Sequence, residues 1–353
     1  FSAEQMAALT ASQTPSISVT NVARLTATQI GALASDSLAA MSTLQVRAIV
    51  PTGIAALSVD TLEALGSAQV GALTTTQVQA ISVTALPALS ADTLSSLGAN
   101  QVSALATAQL NAMTDSQLQS LSSAQLRALG TAQVAALATD DLQALTADQF
   151  SLLKTNQIGA LTAHQVGALD AAHLGALATA QMRSMSTAAV AALDSADLGV
   201  LSAPQVNALG SSQVQALDTG ALSALGTQAL AYLTSGQIGA LTATQLANLG
   251  TDQLAGLSPY QLRGLTTAQL ASLASEDLNA LTSEQFASLR TQQIAALTPT
   301  QVGALASEAL VALDSTQLRA LGTAALAALD SGDIGVLGAS QLRAFSTQQI
   351  AAI

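Results

Sequence analysis

The chain has 353 residues, half of them apolar, 8% charged and 2% aromatic, with no Cys or Trp and a formal charge of −12. That balance excludes a disordered chain, which is poor in apolar residues and rich in charge, and a nucleic-acid surface, which needs a basic stripe. Disulfides, thiolate metal sites and Cys nucleophiles are excluded too, and polar residues recur too often for any run of about 18 apolar residues to form a membrane span.

From the first residue the chain reads in blocks of eight: FSAEQMAA, LTASQTPS, ISVTNVAR, LTATQIGA, and onward to FSTQQIAA and Ile353, giving 44 octads without insertion or deletion. The consensus is L-[T/S/G]-x-x-Q-[L/I/V]-x-A. Position 1 is apolar in all 44 octads, position 6 in 43 (Thr14 is the exception), position 8 is Ala in 30, and position 5 is Gln in 28. A continuous helix cannot carry this repeat, because eight residues turn it through about 800° and a Leu stripe would drift about 80° per octad. A β-solenoid is the rival, but Ala, Leu and Gln favour helix. The pattern predicts an all-α fold: an α-solenoid or superhelix of 44 octapeptide repeats, with one short helix of about six or seven residues per octad.

The ends of these helices are marked in the sequence. Position 2 is Ser or Thr in 22 octads, Asp in five and Gly in eight, and Ser/Thr followed by Gln three residues later has the capping-box spacing. Six octads have Ala at position 2 and Ser or Thr at position 3 (Ser35, Thr107, Thr139, Thr179, Ser275, Ser307), which predicts a cap displaced by one residue. Gly at position 2 is expected to stop the preceding helix in the left-handed conformation. All acidic residues but Glu63 fall at positions 2 to 5, and six Arg (Arg47, Arg127, Arg183, Arg263, Arg319, Arg343) at position 7, matching a helix dipole restarted in every octad.

In chain order, residues 1–24 are the least regular stretch, with Thr14, Pro15 and Asn21 off consensus. The octad IVPTGIAA follows, with Pro51 at the first helical position. Pro87, like Pro15, sits at position 7, where it predicts a distorted octad. Pro259 and Pro299 return to the first helical position. No linker interrupts the repeat, so residues 1–353 read as one continuous array, part of a longer one. Positions 6 and 1 are three residues apart and share the core face, which also takes all four Phe residues (Phe1, Phe150, Phe286, Phe345). Position 8 faces nearly the opposite way, where Ala admits another backbone. Gly and Asp at position 2 alternate between odd and even octads, hinting at a 16-residue, two-helix coil and leaving a three-helix coil open.

No motif for phosphate, dinucleotide, metal or acyl chemistry appears. His164 and His173 read as solvated residues of two helix starts rather than metal ligands. Asp140/Asp141, Asp194/Asp197, Glu276/Asp277 and Asp330/Asp333 read as charge at helix N-termini. Gln at position 5 reads as a capping residue, with an exposed Gln ladder as the alternative. No catalytic, cofactor-binding or metal-binding residue is expected, and no cofactor.

The run L-T-x-x-Q-[LIV]-x-A-L, as in LTTAQLASLASEDLNALTSEQF at 265–286, resembles the low-complexity tracts of very long bacterial surface or secreted proteins of the adhesin-like class. The resemblance implies an extracellular stalk, sheath or filament on the bacterial cell surface. The sequence reading points the same way, to a structural, self-associating protein whose partners are copies of itself, without nucleic acid or a transmembrane segment and with possible surface or polysaccharide contact. The alternatives are a solenoid binding or adhesion module, and an ice- or lattice-binding array; Tyr232 and Tyr260 occupy different octad positions and form no aromatic patch.

Overall fold

The computed structural model describes residues 1–353, and its regular structure is entirely helical: 42 α-helices and two 3-10 helices, one per octad. The chain falls into two compact units, Phe1–Leu177 and Ala178–Ile353, and the octad phase runs through both. Each unit is an all-α repeat solenoid. The α-helices are four to six residues long, slightly shorter than the sequence predicts. In Thr43–Ala48 and Ser123–Ala128 the helix occupies positions 3 to 8, and the flanking positions 2 and 1 take extended ψ values near 160° and 130°. Two extended residues between helices are what turn the chain at every octad.

A helix this short has four amides and four carbonyls without an intrahelical partner, so almost all its backbone needs outside satisfaction. At the N-terminus the capping box supplies it. Ser42 Oγ accepts from the Gln45 amide at 3.3 Å while Gln45 Oε1 accepts from the Ser42 amide at 2.8 Å. Where Ala or Gly stands at position 2, the N-cap stays at that position. Ala34, Ala106, Ala138, Ala178, Ala274 and Ala306 all take the extended N-cap geometry without a side-chain cap. The predicted one-residue shift does not occur, because packing of positions 1 and 6 fixes the phase of each helix more strongly than a hydroxyl can move it. Nor does Gly act as a left-handed stop: no residue has positive φ, and Gly66, at φ −76° and ψ 163°, is an N-cap like its neighbours. A left-handed residue would reverse the chain more sharply than this repeat needs.

Positions 6 and 1 form the core. Val134, Leu126 and Phe286 are completely buried, and Leu129 and Leu289 nearly so. Of the four Phe residues, Phe1 alone is exposed. Burying one such Leu or Phe contributes about 1.5–3 kcal/mol, which makes a helix stable that would not form alone. Within each unit, helices pack on those three octads along the chain, as Ala99–Ala104 on Ser123–Ala128 and Thr291–Ala295 on Ser315–Ala320. The coil therefore advances by three helices, and the two-helix coil hinted at by the Gly/Asp alternation is overturned; stacking depends on the core and ladder positions, which do not alternate. Pro51, Pro259 and Pro299 each open a helix. Pro15 and Pro87 lie in the two 3-10 turns, Thr14–Ser16 and Leu86–Ala88, where the ring has displaced an α-turn. Thr14 occupies a core position fully buried, its hydroxyl donating to the Thr10 carbonyl at 3.0 Å.

Candidate functional site

Position 5 carries the most organised polar chemistry in the molecule. From Gln45 onward nearly all its Gln side chains are buried, unlike the exposed ladder considered above, and they work in two directions. Gln77 Oε1 accepts from the Thr74 amide at 2.8 Å, closing the cap of its own helix. Its Nε2 donates to the carbonyls of Val46 at 2.9 Å and Ile49 at 2.7 Å, 31 and 28 residues earlier. Gln157 repeats the pattern with Lys154, Leu126 and Leu129, and Gln261 with Ser258, Leu230 and Leu233. The accepting carbonyls belong to positions 6 and 1 of the earlier coil, the C-terminal end of a short helix where carbonyls lack partners. One amide thus satisfies the start of its own helix and the end of another. Sequence reasoning found the capping half, because its three-residue spacing is local. The other half spans 28 to 31 residues and has no local signal.

Position 7 makes a second stitch. Arg263 Nε donates to the Ser288 carbonyl at 2.8 Å, Arg319 Nε to Ala344 at 3.1 Å, Asn279 Nδ2 to Ala304 at 2.7 Å and Asn111 Nδ2 to Ala136 at 2.8 Å, all 25 residues ahead. For these Arg residues, a direct bond to the next coil accompanies the helix-dipole role expected from position alone. At some position-7 glycines the backbones close up: a Cβ on Gly239 would stand 2.4 Å from the Gly264 carbonyl oxygen, and one on Gly303 2.6 Å from that of Ala328.

The titratable residues singled out from the sequence fall within this same scheme. His164 is exposed. His173 is buried, 4% exposed, against the expectation that it is solvated, because it takes the place of a ladder Gln. Its Nδ1 lies 2.7 Å from Asp170 Oδ1, its Nε2 lies 2.8 Å from the Leu145 carbonyl 28 residues earlier, and Phe150 meets its ring edge-on at 5.1 Å. The amide and imidazole of His173 beside Asp170 hold that carboxyl below the usual carboxylate range. Asp194 and Asp197 accept from each other's amides at 2.9 and 3.1 Å, and Asp330 and Asp333 do likewise, so these pairs are capping boxes with Asp in place of Gln. Burial, with Asp194 adding repulsion, pushes the Asp197 carboxyl up against the pull of the Asp194 amide. Asp141 also stands at position 5, and its Oδ2 is buried without a partner. No three His, Cys, Asp or Glu residues come together as a metal-binding group.

Outside the coils' interior the surface is mainly short and uncharged. An open cleft of about 360 Å³ is lined by Ser283, Ser307, Glu308, Val311, Ala312 and Val336. Tyr260 is 71% exposed and Tyr232 half-buried. No helix is long and apolar enough to cross a membrane.

Comparison with known proteins agrees with this register. A family model described as the ALTTAQ repeat matches residues 46–83, overlapping stretches from 104 to 307, and 310–353. Written in the octad frame, that six-letter string is position 8, the core Leu, the cap, two helical residues and the ladder Gln, as in GLTTAQ at 264–269. The 3-10 turn at Pro87 lies between matched stretches. No curated protein shows significant similarity to the chain.

Proposed function

Because the chain belongs to the ALTTAQ repeat family and is a structural repeat protein, we propose that it serves as a mechanical segment, without catalysis, of an extracellular stalk, sheath or filament on a bacterial cell surface. The observation that carries this reading is the use of the polar groups. The Gln amides of position 5 are spent on holding one coil to another, and Arg and Asn at position 7 add to the same seams. What remains outward is mainly Ala, Ser, Thr and Gly at a fixed spacing, with 8% charged residues in the whole chain, far below the roughly 25% of an ordinary soluble domain. A regular, nearly uncharged surface suits lateral packing on copies of itself. Negative-stain electron microscopy of the purified chain at rising concentration tests the proposal. Elongated or laterally ordered assemblies are expected, and compact separate particles at every concentration would overturn it.

A further inference from the structure

In 28 octads the ladder position is Gln, whose amide offers an acceptor and a donor at every pH. Within the first unit, two rungs are built from groups that complete their set of donors only by taking up a proton: Asp141, which has none when ionised, and His173, which has one N–H for two acceptors when neutral. They are neighbours in the stack. His173 reaches back to the Leu145 carbonyl, at the end of the short helix Thr139–Ala144 that contains Asp141. We propose that Asp141 and His173 form an acid-tightened clasp, a pair of ladder rungs that are complete when protonated and incomplete when not.

The geometry gives each rung its reason. Both ring nitrogens of His173 face acceptors, a carboxylate oxygen at 2.7 Å and a backbone carbonyl at 2.8 Å. A neutral imidazole has one N–H and can donate to only one of them; the imidazolium donates to both. Asp141 has one buried oxygen with no partner, on the side chain that stands where Gln would donate. In the ladder register the carbonyls 28 and 31 residues earlier are those of Met113 and Leu110. An ionised carboxylate can only accept, whereas a protonated one has an O–H to donate. The charged and titratable residues on helices packed against Thr139–Ala144 are Asp115, on Asp115–Gln119, and His164, on Ala163–Gly167; Asp140 is adjacent in sequence. Against Ala171–Ala176 the helix Ala147–Ser151 brings Asp148, and Asp170 caps His173.

Burial raises the Asp141 carboxyl, Asp115 and Asp140 raise it further, and the Ala138 amide opposes them. A carboxyl raised in the folded state costs stability as pH climbs from the ordinary carboxylate range through its raised value, and costs nothing below that range. Asp170 is lowered and acts in the opposite sense, its contribution disappearing as pH falls beneath the ordinary carboxylate range. The Asp141 rung therefore tightens as pH falls through its raised value toward the ordinary carboxylate range, where Asp170 still contributes, and loosens as pH climbs.

Amide hydrogen exchange read by mass spectrometry tests it on the full chain, with protection factors corrected for the intrinsic pH dependence of exchange. Peptides covering 139–144 and 171–176 are expected to gain several-fold protection on going from pH 7.5 to pH 4.5, while Gln-rung peptides such as 123–128 stay constant. Asp141→Gln and His173→Gln install the consensus side chain, so folding is not at risk. The double variant is expected to be protected at both pH values. Equal protection of wild-type 139–144 and 171–176 at the two pH values, or a pH response that survives the double substitution, would overturn the proposal.

Discussion

Gln157 condenses what one residue does here. It is fully buried, its Oε1 holds the Lys154 amide at 2.7 Å and its Nε2 holds the Leu126 and Leu129 carbonyls at 2.8 Å. Each such bond contributes about 0.5–1.5 kcal/mol net, and removing the side chain also leaves desolvated partners behind. Gln157→Ala is expected to lower local stability by about 2 kcal/mol, read as faster amide exchange in Ser123–Ala128. Gln157→Glu keeps the acceptor and aims a buried charge at two carbonyl oxygens; a loss of about 3 kcal/mol or more at neutral pH is expected, largely recovered on acidification. If the Glu variant exchanged no faster than wild type at pH 7, the ladder would not be holding the coils. Ser37 makes the same backward bond with a shorter side chain, its hydroxyl donating to the Leu9 carbonyl 28 residues earlier at 2.7 Å.

At the scale of the element, the unit is two short turns and a cap. Ala106 has N-cap backbone angles, φ −68° and ψ 154°, but no hydroxyl to accept an amide. Ala106→Ser is expected to stabilise by about 0.5–1 kcal/mol, while Thr107→Ala changes stability by less than about 0.5 kcal/mol. Denaturant titration of the two variants separates the cap position seen here from one shifted to Thr107, which predicts the reverse order. The sequence makes these helices legible because their signals are local: Ser or Thr three residues before Gln, Pro at the first turn, apolar residues at positions 6 and 1. The distortion at Pro15 and Pro87 is legible for the same reason. What a single octad cannot encode is the partner 24 to 31 residues away, so the three-helix coil, the donor half of each Gln and the burial of His173 appear only when coils are stacked. Gly66 misled because glycine's usual meaning after a helix is a left-handed stop, and here it merely fills an N-cap.

Across the whole chain the notable electrostatic fact is how little is used. One His–carboxylate contact, His173 with Asp170, an ion pair only when the imidazole carries its second proton, accompanies a net charge of −12. The coils are held by apolar burial and neutral amide bonds, which salt does not screen, while mutual repulsion among the carboxylates is screened. The unfolding midpoint measured by circular dichroism is expected to hold or rise as NaCl is raised from about 0.05 to about 0.5 M, because the Debye length shortens over that range. A drop of about 5 °C or more would show that ionic contacts carry the fold after all. Unfolding is also expected to be gradual rather than all-or-none, since each coil touches only its neighbours.

The direction of the Gln amide has a consequence for how such a chain is made. Within each unit the bridging Gln rungs, such as Gln77, Gln157 and Gln261, donate toward residues that precede them, never toward residues still to come. A polypeptide leaving a ribosome or a secretion pore N-terminus first would find each new octad's acceptors already waiting on finished structure. Growth of this kind is a one-way zipper, advancing eight residues at a time, in which the newest tooth always closes on an older one.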